Sequence, residues 1–558
     1  MATVKPTVPT QVSDPTSTRE QPFIPATETS TPIPAFPTIE ASPSATPLPA
    51  DLSLTLDNLQ LFPVPTLFSG DRVTFQILPY VPEGIAVNNI SVDIYVDGQV
   101  IASETLDSRN WAGQAQGVYE WLWDTTGRPG DHEVRIVLDN LDRIKEGDES
   151  EANNEVSLTV TVRKAGERPL AERDATWITA ETDCCKVHAQ TRTAAYRDLP
   201  QLLETVETAV AQAAIQLREE PDNKLDVYFI DRTIGQGGYA GTGIVSTYVD
   251  RPYAGGNLHE LLVHEAVHVL DRQFAPQRLK FLAEGLAVWA SGGHYKAEEL
   301  NKRMAALVQL GLYIPLSDLI KDFYLIQHET GYLEAGGFVS YLIEEYGYNV
   351  FRDFYAATSA DDAASEWEIL NVNLQEAYGK SLAQIETEWL QSIKALPSDP
   401  LQTADLETTI RYYETMRRYQ QQYDPSAYFL TAWLPHPQDV RDEGNPADLR
   451  RHPQTAVHIT LEIMFQVAHE AFLAGNYNRA NVLLDSVDRI LNENGAFADP
   501  LSTNYRDIVD TATNYGYEVQ NILLKGDEAE VLATTVSGTK LSQLNMQHRR
   551  GDWVMRLN

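Results

Sequence analysis

His264-Glu265-Ala266-Val267-His268 decides how this chain is read, together with Leu258-His259-Glu260-Leu261-Leu262-Val263 before it and Val269-Leu270-Asp271-Arg272 after it. No Gly or Pro interrupts the stretch, and apolar residues occupy nearly every side of a helix drawn through it, so it reads as a core helix. Two histidines four residues apart project from one face of that helix, about 40° apart around its axis. Both imidazoles can then reach one Zn2+, and Glu265, the next position round, can face a water beside the ion. Buried polar side chains need partners, and a shared cation supplies one.

A third ligand is required. Phe281-Leu282-Ala283-Glu284-Gly285-Leu286-Ala287-Val288-Trp289 reads as a second buried helix carrying a single carboxylate. A buried glutamate is costly unless paired, and two partners stand open for Glu284: zinc, or an ion pair with Arg278. H-E-x-x-H followed by a helix reading L-A-E-G-L-A resembles the gluzincin metallopeptidases, the group with thermolysin and the zinc aminopeptidases, and most closely its bacterial peptidase MA-like branch. The resemblance covers about residues 175–395. It implies an α+β metallopeptidase domain with His264, His268 and Glu284 as zinc ligands and Glu265 as general base. The segment Tyr332-Leu333-Glu334-Ala335-Gly336-Gly337-Phe338-Val339-Ser340-Tyr341 matches a further helix of these relatives, whose opening tyrosine points its hydroxyl at the oxyanion. Tyr332 takes that place by resemblance; by residue type alone it is an aromatic packed on the core. One departure is the spacing: Glu284 follows His268 by sixteen residues, fewer than in thermolysin-like enzymes, so the loop holding Pro276 must turn tightly. His259, His294 and His328 stand in reserve as ligands, and Tyr324 and Tyr295 as hydroxyl donors.

Upstream, Leu199–Leu217 has helical periodicity and Leu225–Asp231 reads as a strand. Gly235-Gln236-Gly237-Gly238-Tyr239-Ala240 satisfies a relaxed dinucleotide-binding pattern, but β-branched Thr242–Val249 follows in place of the required helix, which excludes that reading. In relatives of this fold the strand before the zinc helix is the sheet edge along which peptide lies. Ile244–Val249 takes that place, so Gly243, Ile244, Val245 and Ser246 are expected to bind substrate main chain. Zinc aminopeptidases carry Gly-x-Met-Glu-Asn near this edge. Here Gly241-Thr242-Gly243-Ile244-Val245 offers no carboxylate, so an endopeptidase is expected over an aminopeptidase.

The 558 residues are enough for three or more domains. A mean hydropathy of −0.30 and the lack of any apolar run of membrane length argue against an integral membrane protein. A net charge of −36 makes nucleic acid and anionic membranes poor partners. Residues 1–50, rich in Pro, Thr and Ser, read as a disordered tether. Tethers of this kind join a membrane anchor to the first folded domain in exported bacterial proteins, so a secreted or lipoprotein-like cell-surface location is expected. Residues 51–163 alternate in short runs, as in Ile90, Val92, Ile94 and Val96, and read as an all-β immunoglobulin-like sandwich. The acidic turn over residues 146–155 resembles the CARDB type of bacterial surface domain and reads as a solvated loop rather than a calcium site. A charged linker over 164–174 leads to the peptidase-like domain at 175–397. Residues 400–558 read as mainly helical to about 525, with a tetratricopeptide-like turn over 468–480, and then as a β-meander from Glu528 to Leu557. The only cysteines, Cys184 and Cys185, are adjacent; neighbouring Cα atoms sit closer than an ordinary disulfide allows, so two buried free thiols are expected. Two function classes follow: a zinc peptidase acting on peptide or protein, or an idle peptidase fold serving adhesion, with the sandwich and helical regions receiving a protein partner.

Overall fold

The computed structural model describes residues 51–556 apart from Glu146, Glu149, Tyr295, 361–363 and Ser537, with Glu151 described in backbone only. The expected tether over 1–50 and the reserve Tyr295 lie outside the described residues.

Alternation of apolar and polar residues forms the strands of the all-β region, as in Ser91–Val96, where every second residue is buried. Its two sheets hold nine strands among the described residues. One runs Leu59–Phe62, Arg72–Ile77, Ala115–Asp124 and Ser108–Arg109, in that order across the sheet. The other runs Leu67–Phe68, Glu155–Arg163, Gly130–Leu138, Ser91–Val96 and Gln99–Thr105. Asp97-Gly98 turns with both φ positive, as the tight hairpin requires. The sandwich is tied to the rest of the chain by Asp71, which is fully buried. It accepts from Arg168 at 3.0 Å and from Arg451 at 3.1 Å, and Arg451 also reaches Glu172 at 2.7 Å.

The next region is built on a five-stranded sheet of β1 (Trp177–Glu181), β2 (Cys185–Gln190), β3 (Leu225–Ile230), β4 (Gly238–Ala240) and β5 (Ile244–Thr247), ordered β1-β2-β3-β5-β4. Strands β2, β3 and β5 are parallel, with α1 (Leu199–Leu217) crossing between β2 and β3. Two expectations are corrected here. Strand β5 is not the sheet edge: the chain reverses at Gly241–Gly243 so that β4 pairs antiparallel with it, Tyr239 opposite Val245. Gly243, Ile244, Val245 and Ser246 are consequently buried, and the open edge belongs to β4. Cys184 and Cys185 are not free thiols but a disulfide, with Cα atoms 3.8 Å apart, in the turn where β1 reverses into β2.

Three helices pack as a core against this sheet: α2 (Leu258–Leu270), α3 (Lys280–Ser291) and α4 (His328–Tyr346). Val263, Ala266 and Val267 on α2, Leu282 and Leu286 on α3, and Ala335, Phe338 and Val339 on α4 are all buried. Helices α3 and α4 approach so closely that a side chain at Gly285 would lie 2.5 Å from the Ala335 carbonyl oxygen. Helix α4 begins four residues ahead of Tyr332, at His328, with Gln327 accepting the Thr330 N–H at 2.7 Å.

The C-terminal region supplies α5 (Pro400–Tyr423), α6 (Ala456–Leu473), α7 (Tyr477–Asn492) and α8 (Pro500–Asn514). Helices α6 and α7 form the hairpin where the tetratricopeptide-like turn is expected, with α8 and a sheet following it. That sheet is a sequential antiparallel meander of Tyr517–Lys525, Glu528–Thr535, Ser542–Arg549 and Asp552–Met555. Its first strand falls in the span expected to be helical. A bulge between Val519 and Asn521 shifts the register there and hides the period of two. Helix α5 also steadies the approach to α2: Tyr412 donates to the Tyr253 carbonyl at 2.6 Å and Tyr413 to the Gly255 carbonyl at 3.2 Å.

Glu334 on α4 is fully buried, with Oε1 accepting the Ile314 N–H at 2.9 Å. Burial pushes its carboxyl up to about 9, the Ile314 N–H opposing only in part. The folded state thus keeps a proton that the unfolded chain releases near pH 4.3, and stability falls as pH rises from about 4.3 towards the folded value. Glu334→Gln cannot ionise and is expected to flatten that slope. Its melting temperature should match the parent's at pH 4 to 5 and exceed it by several degrees at pH 8.5, as read by circular dichroism.

Candidate metal centre

On α2, His264 and His268 stand one turn apart with their Nε2 atoms 3.2 Å from each other. Helix α3 brings Glu284 to them, Oε2 lying 3.1 Å from each Nε2. All three side chains are buried, and theirs is the one cluster of this kind found among the described residues. A triangle of this size is close to the face of a ligand tetrahedron, whose edge is about 3.3–3.4 Å for metal–ligand bonds of about 2.0–2.1 Å. Two ring nitrogens and one oxygen so placed cannot satisfy one another fully, because protons on both Nε2 atoms would face each other. A central cation would take a lone pair from each. Two imidazoles and a carboxylate with room for a further ligand suit zinc.

The second oxygen of Glu284 is also held: the Tyr324 hydroxyl donates to Oε1 at 2.9 Å. Arg278 is not the partner of Glu284. Its Nε lies 2.7 Å from Asp271 Oδ2 and its Nη2 donates to the His268 carbonyl at 3.2 Å, while Tyr355 donates to the same Asp271 oxygen at 2.6 Å. This cluster fastens the end of α2 to the loop beyond. A single 3-10 turn, Asp271–Gln273, starts that loop, so the short connection to Glu284 closes tightly as its length demands.

The carboxyls of the site are pushed apart. Burial raises that of Glu265, with His264 and His268 pulling against it. Burial also presses on Glu284, but His268 and His264 outweigh it and hold this carboxyl well below its usual range. Their surroundings thus act on the two carboxyls in opposite directions.

Glu265 and the three convergent side chains line a cavity of about 330 Å3. Tyr332 lines it too, its ring centroid 3.9 Å from that of His328, 4.4 Å from His294 and 6.1 Å from His264. His294 and His328 therefore share the cavity without joining the triangle; burial holds both imidazoles well below their usual range and so neutral. His259 is half-buried in the first turn of α2 and does not line the cavity. Nor do Gly243, Ile244, Val245 or Ser246, whose expected place is taken by Gly238, Tyr239 and Ala240 of β4. Arg272 donates to the Ala240 carbonyl at 3.1 Å and fixes β4 against α2. Three further walls escape sequence reasoning because they are remote along the chain: Trp111 of the sandwich, and Phe429 and Leu434 beyond α5.

No protein-family profile matches the sequence, and no curated protein matches it. Among solved structures, similarity is found to a mutant of an M1 zinc metallopeptidase from Deinococcus radiodurans. The alignment has 12% identity over 63% of this chain and 94% of that one, with a TM-score of 0.27. The reading of the site rests on its own geometry.

Tyr324→Phe deletes one hydroxyl and leaves the ring. Removing a partner of a ligating carboxylate typically costs about 10- to 100-fold in metal affinity. A loss of that order is expected for zinc, measured by competition with a chromophoric chelator, with unchanged far-ultraviolet circular dichroism.

Proposed function

We propose that this chain is a zinc-dependent peptidase, and an endopeptidase in preference to an aminopeptidase. The observation that carries the reading is the triangle of His264, His268 and Glu284 with Glu265 beside it in one cavity. Bound by those three side chains, zinc would polarise a scissile carbonyl and acidify a water. Glu265 accepts a proton from the water as its oxygen bonds to the carbonyl carbon, and delivers that proton to the amine nitrogen as the C–N bond breaks. Proton transfer of this kind is commonly worth about 10²- to 10⁴-fold. Tyr332 takes the role of oxyanion donor, and substrate main chain runs along the open edge of β4. Among the described residues lining the cavity, Glu265 and Glu284 are the only carboxylates, which leaves none to hold a substrate's free ammonium group. This supports internal cleavage.

We extend the proposal to location: the Cys184–Cys185 disulfide suits an oxidising compartment and supports export.

Glu265→Gln is expected to keep zinc and fold but lose at least 100-fold in hydrolysis, because an amide cannot take the proton. His268→Ala should lose metal and activity together. Metal analysis beside a peptide-library cleavage profile checks both; full activity in Glu265→Gln removes that residue from the mechanism. A protein that binds zinc at this site and cuts nothing in the library is instead an idle platform.

Tyr332→Phe tests the hydroxyl separately. The loss should fall on kcat, about 10²- to 10³-fold, with little change in melting temperature. Unaltered kcat would return Tyr332 to a packing role.

A further inference from the structure

A second cavity, of about 1110 Å3, lies between the β-sandwich and the helices around the metal centre. It shares Trp111, Lys280, Tyr324 and Leu434 with the smaller cavity, so the two adjoin. The link between them is physical: Trp111 meets Tyr324 edge-on at 5.0 Å, and Tyr324 is the residue whose hydroxyl holds Glu284.

The lining of this outer chamber carries large apolar side chains left in water. Trp111 is 50% exposed, Leu325 56% and Trp367 38%. Single exposed apolar residues are ordinary, but three around one groove form a patch that a ligand can cover. Charges nearly cancel here, with Arg109, Lys280 and Lys321 facing Asp107, Glu120, Asp322 and Glu366, so they do little to select a ligand. Main-chain recognition is also offered. Ser108–Arg109 is the last strand of its sheet, paired on one side only among the described residues, and it lines the groove.

We infer that this groove binds an extended, apolar segment of an unfolded polypeptide, the part of the substrate that lies beyond the bond to be cut. The inference rests on the peptidase reading and makes the sandwich half of the substrate site.

The test uses the full, zinc-loaded chain carrying Glu265→Gln, so that the probe survives, and dye-labelled, reduced and carboxymethylated α-lactalbumin as a permanently unfolded ligand. Anisotropy should show binding, and joint Leu325→Ala and Trp367→Ala should weaken it at least tenfold. Leu325 is 56% exposed and Trp367 38%, so the variant should lose a few degrees at most in melting temperature and keep its far-ultraviolet circular dichroism, which separates lost contact from lost fold. Binding by the double variant within twofold of the parent overturns the groove, as does failure of the parent to bind. Incubating the same probe with the unsubstituted chain distinguishes the two ideas. Cleavage with unaltered binding in the double variant sinks the groove and keeps the peptidase. Groove-dependent binding without cleavage sinks the peptidase and keeps the groove.

Discussion

Three polar side chains buried at one point, two of them imidazoles and one an anion, are the constraint on which the rest depends. Buried polar groups need partners, these three find them in part in one another, and they converge only because α2 and α3 lie close. The apolar faces of these helices provide that. Glycine at 285 lets α4 close on α3, and the Asp271–Arg278–Tyr355 cluster fastens the end of α2, so ligand position is fixed by core packing and not by a mobile loop. Sites mounted this way hold geometry within a few tenths of an ångström, which coordination requires.

The same constraint separates the two carboxyls. Glu284 sits between imidazoles that hold its carboxyl low, whereas at Glu265, in the same cavity, burial outweighs the pull of His264 and His268 and raises the carboxyl. Two acids of one chemical type thus take opposite tasks from their surroundings. The rings of His294 and His328, which burial keeps neutral, stack beside Tyr332 and add a polar, uncharged stretch to the wall.

What the sequence made legible follows the range of the interactions. His264, Glu265 and His268 are set by helical spacing alone, and Glu284 by the cost of a lone carboxylate among apolar neighbours. Both signals are local, and the structure brings these residues together. The sheet edge was misplaced because β4 is three residues long and opens on a glycine, too short and too permissive to register as a strand. Val519 and Ile522 were lost in a helical span because a bulge breaks their alternation. The Cys184–Cys185 bond went unforeseen because spacing argues against neighbours, while the reversal of the chain between two strands brings their sulfurs into line. Trp111, Phe429 and Leu434 could not be found at all: no local pattern tells which distant segments will face a helix.

The interlocking of Tyr412 and Tyr413 with the backbone ahead of α2 has a consequence for modularity. Residues 175–397 look like a portable unit in the sequence, yet the backbone leading to both histidines is pinned by hydroxyls from α5, and two walls of the cavity arrive still later in the chain. During synthesis, therefore, the ligands emerge well before the cavity around them can be finished. A ribosome-bound chain ending before residue 400 holds His264, His268 and Glu284 with their chamber unsealed, and the lining is whole only once Leu434 has been made.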